Sequence, residues 1–216
     1  GPSGIGKSTL LATLAGLLEP RGGTLTLDGV PPWQAAHSEV AARVCLTAED
    51  AHVFHTSVLE NLRVARGDVT PAEAGEEALP EGVETIIGTD AATLSGGERR
   101  RLLLARALAA PAPLMLLDEP GEHLDALTAD RLVTDLLTAG DQGRGTLLVT
   151  HRLSALEHAD EVLVMGHRPQ ATGVQAPATI LHRGSHCELQ DVSETYRWSL
   201  SQEDQDRQQD HVSGTS

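Results

Sequence analysis

Gly1-Pro2-Ser3-Gly4-Ile5-Gly6-Lys7-Ser8-Thr9 opens the chain and decides how the rest is read. It fits the pattern G-x-x-x-x-G-K-[ST], with Gly1 and Gly6 as the fixed glycines and Lys7-Ser8 closing it. Glycines without a Cβ let the backbone bend round a polyphosphate, so that successive N–H groups turn inward. Ser3, Gly4 and Thr9 belong to the same cradle. Apolar residues at Leu10, Leu11, Leu14, Leu17 and Leu18 predict a helix from about Lys7, its positive end aimed at the same phosphates. Lys7, the only lysine in the chain, supplies a point charge for the β- and γ-phosphates, and the Ser8 hydroxyl supplies a ligand for Mg²⁺. A P-loop leaves the end of a β-strand. None precedes Gly1, so the chain is expected to be N-terminally incomplete and to lack its first strands.

A length of 216 residues suits one domain, or one domain with a small appendage. Aromatic residues are only 2 % of the chain, so its core must be built from Leu, Val and Ala. The formal charge of -15 argues against direct binding to DNA, RNA or an anionic membrane surface. Cys45 and Cys187 are too few for a disulfide framework and fit a reducing cytosol. The most apolar run, Leu102 to Leu117, is broken by Arg106, Pro111 and Pro113 and cannot span a membrane. Any membrane connection is expected through a partner or a segment outside this chain.

Downstream, Thr24 to Gly29 alternates and ends in an Asp-Gly turn, which predicts a strand. Arg43 to Thr47 reads as a short buried strand. Ser57 is placed to cap a helix through Val64, with Glu60 at the capping-box position. Gly67 to Gly88 is an irregular connector with one short helical piece near Ala72 to Ala78. A helix runs from Ser95 to about Ala109, where Pro111 and Pro113 stop it. The continuous apolar run Leu114 to Leu117 marks a strand covered on both faces. A helix over Asp125 to Thr138, a strand over Thr146 to Thr150, a helix over Leu153 to His158 and a strand over Glu161 to Met165 follow. This alternation implies an α/β fold with a mostly parallel sheet. Gly166 to Ile180 resists assignment, and Ser201 to Ser216 is polar enough to be read as a disordered tail.

Three segments carry chemistry. Asp118-Glu119 ends the apolar strand, and ligands of open α/β sheets sit at the carboxyl ends of strands. Asp118 is placed to support Mg²⁺ and Glu119 to polarise an attacking water. Leu94-Ser95-Gly96-Gly97-Glu98 opens a helix with a hydroxyl and two bare glycines, a second anion-binding terminus. One chain has no use for two such termini, whereas a head-to-tail dimer has. Arg99, Arg100 and Arg101 read as the solvated face of that helix. His151 follows the strand at Thr150 and can reach a γ-phosphate oxygen or the attacking water. His182, His186 and Cys187 lack an evident fourth partner for a metal.

The order of P-loop, Leu-Ser-Gly-Gly-Glu, Asp118-Glu119-Pro120, Glu122-His123-Leu124-Asp125 and His151 resembles the ATP-binding cassette (ABC) ATPases over Gly1 to about Met165. The resemblance implies a P-loop ATPase binding ATP and Mg²⁺ that dimerises around two ATP molecules and drives a transporter. Leu94, Ser95, Gly96, Gly97 and Glu98 would be its signature acting in trans. Asp125 would end the D-loop, and Glu49 would stand where the family's Q-loop has glutamine. The expected domain covers residues 1–200, with a helical subdomain over about 60–110 that is shorter than the family's, and a tail over 201–216. The partners implied are a second nucleotide-binding domain and a transmembrane domain, with no nucleic acid, at the cytoplasmic face of the membrane. Glu49 to Phe54, Glu60-Asn61-Leu62 and Glu122 to Asp125 resemble the bacterial thiol exporter subunits CydC and CydD, which implies export of a thiol or similar small molecule. A cassette that turns over little ATP and completes a partner's site is the alternative, and a soluble cassette acting on DNA or ribosomes a weaker one. The adenine-stacking aromatic that the family carries upstream of the P-loop has no counterpart here, and the chain's own capacity for hydrolysis stays open at this point.

Overall fold

The computed structural model describes residues 1–48, 50–74, 82–88, 94–138, 143–168 and 177–213. Its centre is a parallel sheet of β1 (Val44–Thr47), β2 (Leu114–Asp118) and β3 (Gly145–Val149), in that order. β2 lies in the middle, and its side chains alternate between two helical layers. Met115 and Leu117 pack with Leu104 and Ala107 of helix α5 (Gly96–Ala109) and Leu136 of α6 (Ala126–Thr138). Leu116 points the other way, onto Leu11 of α1 (Lys7–Leu14) and Val40 of α2 (His37–Ala41). Each fully buried Leu or Met contributes about 1.5–3 kcal/mol, so the unbroken apolar run of β2 is what fixes helices on both faces. It also fixes the register: Asp118 falls opposite Val149 at the carboxyl edge.

A second cluster joins Val58, Leu59 and Leu62 of α3 (Val58–Arg63) to Val69, Val83, Ile87 and the amino half of α5. Ser57 caps α3 as expected, its hydroxyl accepting from the Glu60 N–H. Between α3 and α5 the described residues hold one four-residue helix, α4 (Pro71–Ala74). Beyond a 3-10 turn (Ser154–His158), β4 (Val162–His167) and β5 (Ala178–Gly184) form an antiparallel hairpin. β5 accounts for the end of the stretch the sequence left unassigned. No described strand pairs with the outer edge of β3 or the free edge of β4. Both edges line one cavity of about 1450 Å³ with Gly1 at its rim.

Two expectations are corrected. Thr24 to Gly29 is not a strand: only a bridge between Leu27 and Val30 forms, closed by left-handed Asp28 and Gly29 (φ 52° and 86°). The turn was legible, but alternation without a neighbouring strand makes no ladder. The segment read as a disordered tail over 201–216 is helical as far as it is described, because α8 runs Glu194–Ser213 after α7 (His186–Val192). Tyr196 and Leu200 seat α8 against Leu153, Leu156 and Val162. That anchor nucleates the helix, which the polar sequence after it only has to extend.

Candidate functional site

The first turn of the chain folds as its glycines require. Gly4 and Gly6 take left-handed φ values of 72° and 97°, which a Cβ would strain, and Gly6 is the N-cap of α1. No side chain caps α1, so its first N–H groups are of the kind an anion satisfies. Lys7 Nζ folds back across the loop and donates to the carbonyls of Gly1 and Pro2, each at 3.0 Å. Ser3, Ser8 and Thr9 stand exposed around it while Ile5 is buried beneath, pinning the loop to the core.

At the end of β2, Asp118 is buried to 5 % exposure. Glu119 then takes a left-handed φ of 46°, unusual for a residue with a side chain, and its N–H donates to the Val149 carbonyl at 2.9 Å. This turn sends the Glu119 carboxylate across to His151. Oε2 meets His151 Nδ1 at 2.9 Å and the His151 N–H at 3.2 Å. His151, Thr150, Lys7 and Pro2 line the same cavity. P-loop, β2 end and β3 end thus converge at the carboxyl edge of the sheet.

The hydrogen bond that the His151 ring donates to Glu119, together with the negative charges of Glu119 and Glu122, raises the His151 pKa against the opposing effects of burial and Arg152. With the folded pKa above the ordinary value of about 6.5, the imidazolium form stabilises the fold fully below pH ~6.5. That contribution disappears as pH climbs through the raised pKa. An NMR titration should therefore give His151 a midpoint above ~6.5 that returns toward it in Glu119→Gln. An unshifted midpoint in the parent chain would contradict the pair.

The second glycine-led terminus is built differently. Ser95 and Glu98 form a reciprocal capping box: the Glu98 N–H donates to Ser95 Oγ at 3.2 Å, while the Ser95 N–H and hydroxyl donate to the Glu98 carboxylate at 2.8 and 2.7 Å. The hydrogen bonds from Ser95 hold the Glu98 pKa below the usual carboxylate range. Gly96 and Gly97 pass against His123 and Leu124, where an added Cβ would touch at 3.4 Å. Asp125 caps α6 by accepting from the Thr128 N–H at 3.0 Å, which lowers its pKa. Leu94 packs on the cluster around α3. Neither Ser95, Gly96 nor Gly97 lines the cavity of Lys7 and His151. Glu49, the Q-loop position, lies outside the described residues.

Two residues escaped the sequence reading. Arg100, read as solvated, is buried to 4 % exposure. Its guanidinium donates to the carbonyls of Asp118, Glu119 and Pro120. Glu203, in the supposed tail, accepts from the backbone N–H groups of Leu153 and Ser154. Neither left a local pattern to find.

The donor set suits a hard cation. Among the described residues no Lys, Arg or His forms an ion pair with Asp118, and no cluster of three or more His, Cys, Asp or Glu could hold a metal. Asp118, a buried carboxylate, and Ser8, an exposed hydroxyl, are oxygen donors of the kind Mg²⁺ takes when phosphates and water complete its shell.

The family model described as "ABC transporter" matches residues 1–122. An ATP-dependent lipid A-core flippase of Chromobacterium violaceum is 38% identical over 76% of this chain and 30% of its own length. The protein of the same name from Xanthomonas campestris pv. campestris is 36% identical over 88% of this chain and 32% of its own. A solved bacterial Atm1-family ABC exporter with ATP bound superposes with a TM-score of 0.76 at 27% identity, covering 94% of this chain and 36% of that one. The chain thus spans about a third of the length of these relatives.

Proposed function

This chain belongs to the ABC transporter family and has the fold of that family's ATPase domain, and from that premise we propose that it binds ATP with Mg²⁺ and hydrolyses it to drive an exporter. The observation that carries this reading is the Glu119–His151 pair, 2.9 Å apart, beside the cavity that Lys7 lines. Lys7 and the N–H groups of the Gly4–Gly6 turn bind the β- and γ-phosphates. Glu119 orients a water in line with the γ-phosphorus and draws its proton as the new P–O bond forms and the bond to the ADP oxygen breaks. As the imidazolium, His151 donates from Nδ1 to Glu119 and has its Nε2–H left to steady the transferred group. Ser8 and Asp118 would hold Mg²⁺, which would supply charge neutralisation for the phosphates.

Ser95, Gly96 and Gly97 do not line the cavity of Lys7 and are assigned to the ATP site of a second cassette, with Asp125 ending the D-loop at that interface. The cassette domain is assigned to residues 1–200, and the cluster around α3 and α5 to its helical subdomain over about 60–110. Among the described residues one edge of β3 and one edge of β4 carry no strand, and the cavity both line suits one further strand. No helix among the described residues is long and apolar enough to cross a membrane, and a transmembrane domain at the cytoplasmic face is assigned as the partner. The charge of -15 disfavours nucleic acid. For the cargo, the lipid A-core flippases at 36–38% identity favour a lipid. A thiol rests only on the short segments around Glu49, Glu60 and Glu122, and none of the relatives above is named as a thiol exporter.

Replacing Lys7 by Ala tests the binding step. Loss of a charged donor is worth about 1.5–3 kcal/mol, so affinity for a fluorescent ATP analogue should fall roughly 10- to 100-fold. Unaltered affinity would move the phosphates elsewhere.

A further inference from the structure

His151 is itself exposed, and what fixes its position lies fifty residues downstream. The peptide turns sharply after β3, and the 3-10 turn Ser154–His158 begins three residues past His151. The first N–H groups of any helical turn lack internal partners. Here the carboxylate of Glu203 supplies them. Oε2 accepts from the Leu153 N–H at 2.8 Å and the Ser154 N–H at 3.2 Å, while Oε1 accepts from the Ser154 hydroxyl at 3.2 Å.

The placement of Glu203 follows from the helix that bears it. Tyr196, Leu200 and Glu203 recur at i, i+4 and i+7, on one face of α8. The first two sink into the cluster of Leu153, Leu156 and Val162, which delivers the third to the backbone amides. Tyr196 is buried to 3 % exposure. Burial, and secondarily the charge of Glu203, push its hydroxyl pKa up to about 12, so it stays neutral beside the carboxylate. On the other side His151 is tied to Glu119 through both its ring and its N–H. The turn is therefore held at two points, one catalytic and one remote.

We propose that Glu203 is a positioning residue for His151: the C-terminal helix clamps the turn after β3 and thereby sets where the imidazole meets Glu119. This makes α8 an input to the hydrolytic site, because anything that lifts α8 from Leu153 and Ser154 loosens His151. The proposal rests on the ATPase reading for its effect on turnover, but the clamp itself can be tested without it.

The experiment uses the full chain, its Glu203→Ala and Glu203→Gln variants, and three readouts. Charge-assisted bonds to two amides are lost in Glu203→Ala, so amide exchange at Leu153 and Ser154 should speed up by about tenfold or more. The NMR midpoint of His151, which Glu119, Glu122 and Arg152 also set, should drop toward its ordinary value as the pair with Glu119 loosens. Turnover should fall about tenfold with the KM for ATP within about twofold, because a displaced group costs kcat rather than substrate binding. Glu203→Gln, whose amide oxygen still accepts from both N–H groups, should recover most of the exchange protection and turnover.

An unmoved His151 midpoint with parental turnover in Glu203→Ala overturns the proposal. So does an equal drop in melting temperature for both variants without selective exchange at Leu153 and Ser154, which is the mark of a merely structural contact. If the parent chain hydrolyses no ATP, the ATPase reading is what fails. Exchange and titration then decide the clamp alone: coupled changes in Glu203→Ala uphold it and unchanged values sink it.

Discussion

Glu119→Gln should lower ATP turnover by roughly 10²- to 10⁴-fold while leaving nucleotide affinity within about threefold of the parent, the range expected for losing one positioned acid–base group. The substitution is nearly isosteric. Its amide keeps one oxygen to accept from the His151 N–H, so the turn at φ 46° and the hydrogen bond to Val149 have no reason to change. What disappears is the negative charge, and with it two functions at once. Water loses the group proposed to take its proton, and His151 loses the partner that keeps its pKa raised. The two losses are separable by measurement. A steady-state assay at saturating ATP reports the first, and the His151 titration reports the second. Binding, which the proposed function assigns to Lys7 and the loop amides, is measured with the fluorescent analogue. Parental turnover in Glu119→Gln would remove Glu119 from the chemistry, even if its contact with His151 stands.

The features that lead to this site were readable because each is local. The glycines at Gly4 and Gly6 mark left-handed turns whatever surrounds them. Ser95 before Gly96 and Gly97 marks a helix start, and the structure begins α5 there with Ser95 as its N-cap. The run Leu114 to Leu117 could only be a strand covered on two faces, and that places Asp118 and Glu119 at a carboxyl edge. Failures came where the deciding partner is distant. Thr24 to Gly29 has strand alternation, but a ladder needs a neighbour. The Gln- and Asp-rich sequence after Ser201 carries no apolar stripe of its own, so its helix depends on Tyr196 and Leu200 upstream. A run of three arginines on an otherwise amphipathic helix looks solvated. Which of them turns inward depends on where β2 ends, and no spacing within α5 reveals that.

Arg100→Met should be the most destabilising single change at the site, on the order of 3 kcal/mol, and it should disable turnover as well. The guanidinium is buried and converges on three successive carbonyls, those of Asp118, Glu119 and Pro120. Those oxygens leave the β2 ladder and enter a turn that a non-glycine residue adopts at a cost of about 1–3 kcal/mol. A planar cation with five donors can collect them together; methionine fills similar volume and donates nothing. The Glu119 carbonyl keeps the Glu122 N–H at 3.1 Å, so the loss falls on the carbonyls of Asp118 and Pro120, at about 1–3 kcal/mol for each left without a donor and partly relieved by relaxation. For a chain of this size that corresponds to a fall in melting temperature of roughly 6–12 °C. Relaxation is also why activity suffers. With the carbonyls released, Glu119 can leave its left-handed conformation, and its carboxylate then swings away from His151. Because Arg100 sits on α5, the helix opened by Ser95, Gly96 and Gly97, the same side chain ties that terminus to the end of β2. Arg100→Lys keeps the charge but gathers the carbonyls poorly, so it should resemble Arg100→Met in turnover and lie between it and the parent in stability. Thermal melts and ATPase assays on the three proteins give the answer, and a melting temperature for Arg100→Met within about 2 °C of the parent would show that water or neighbouring donors replace the clamp.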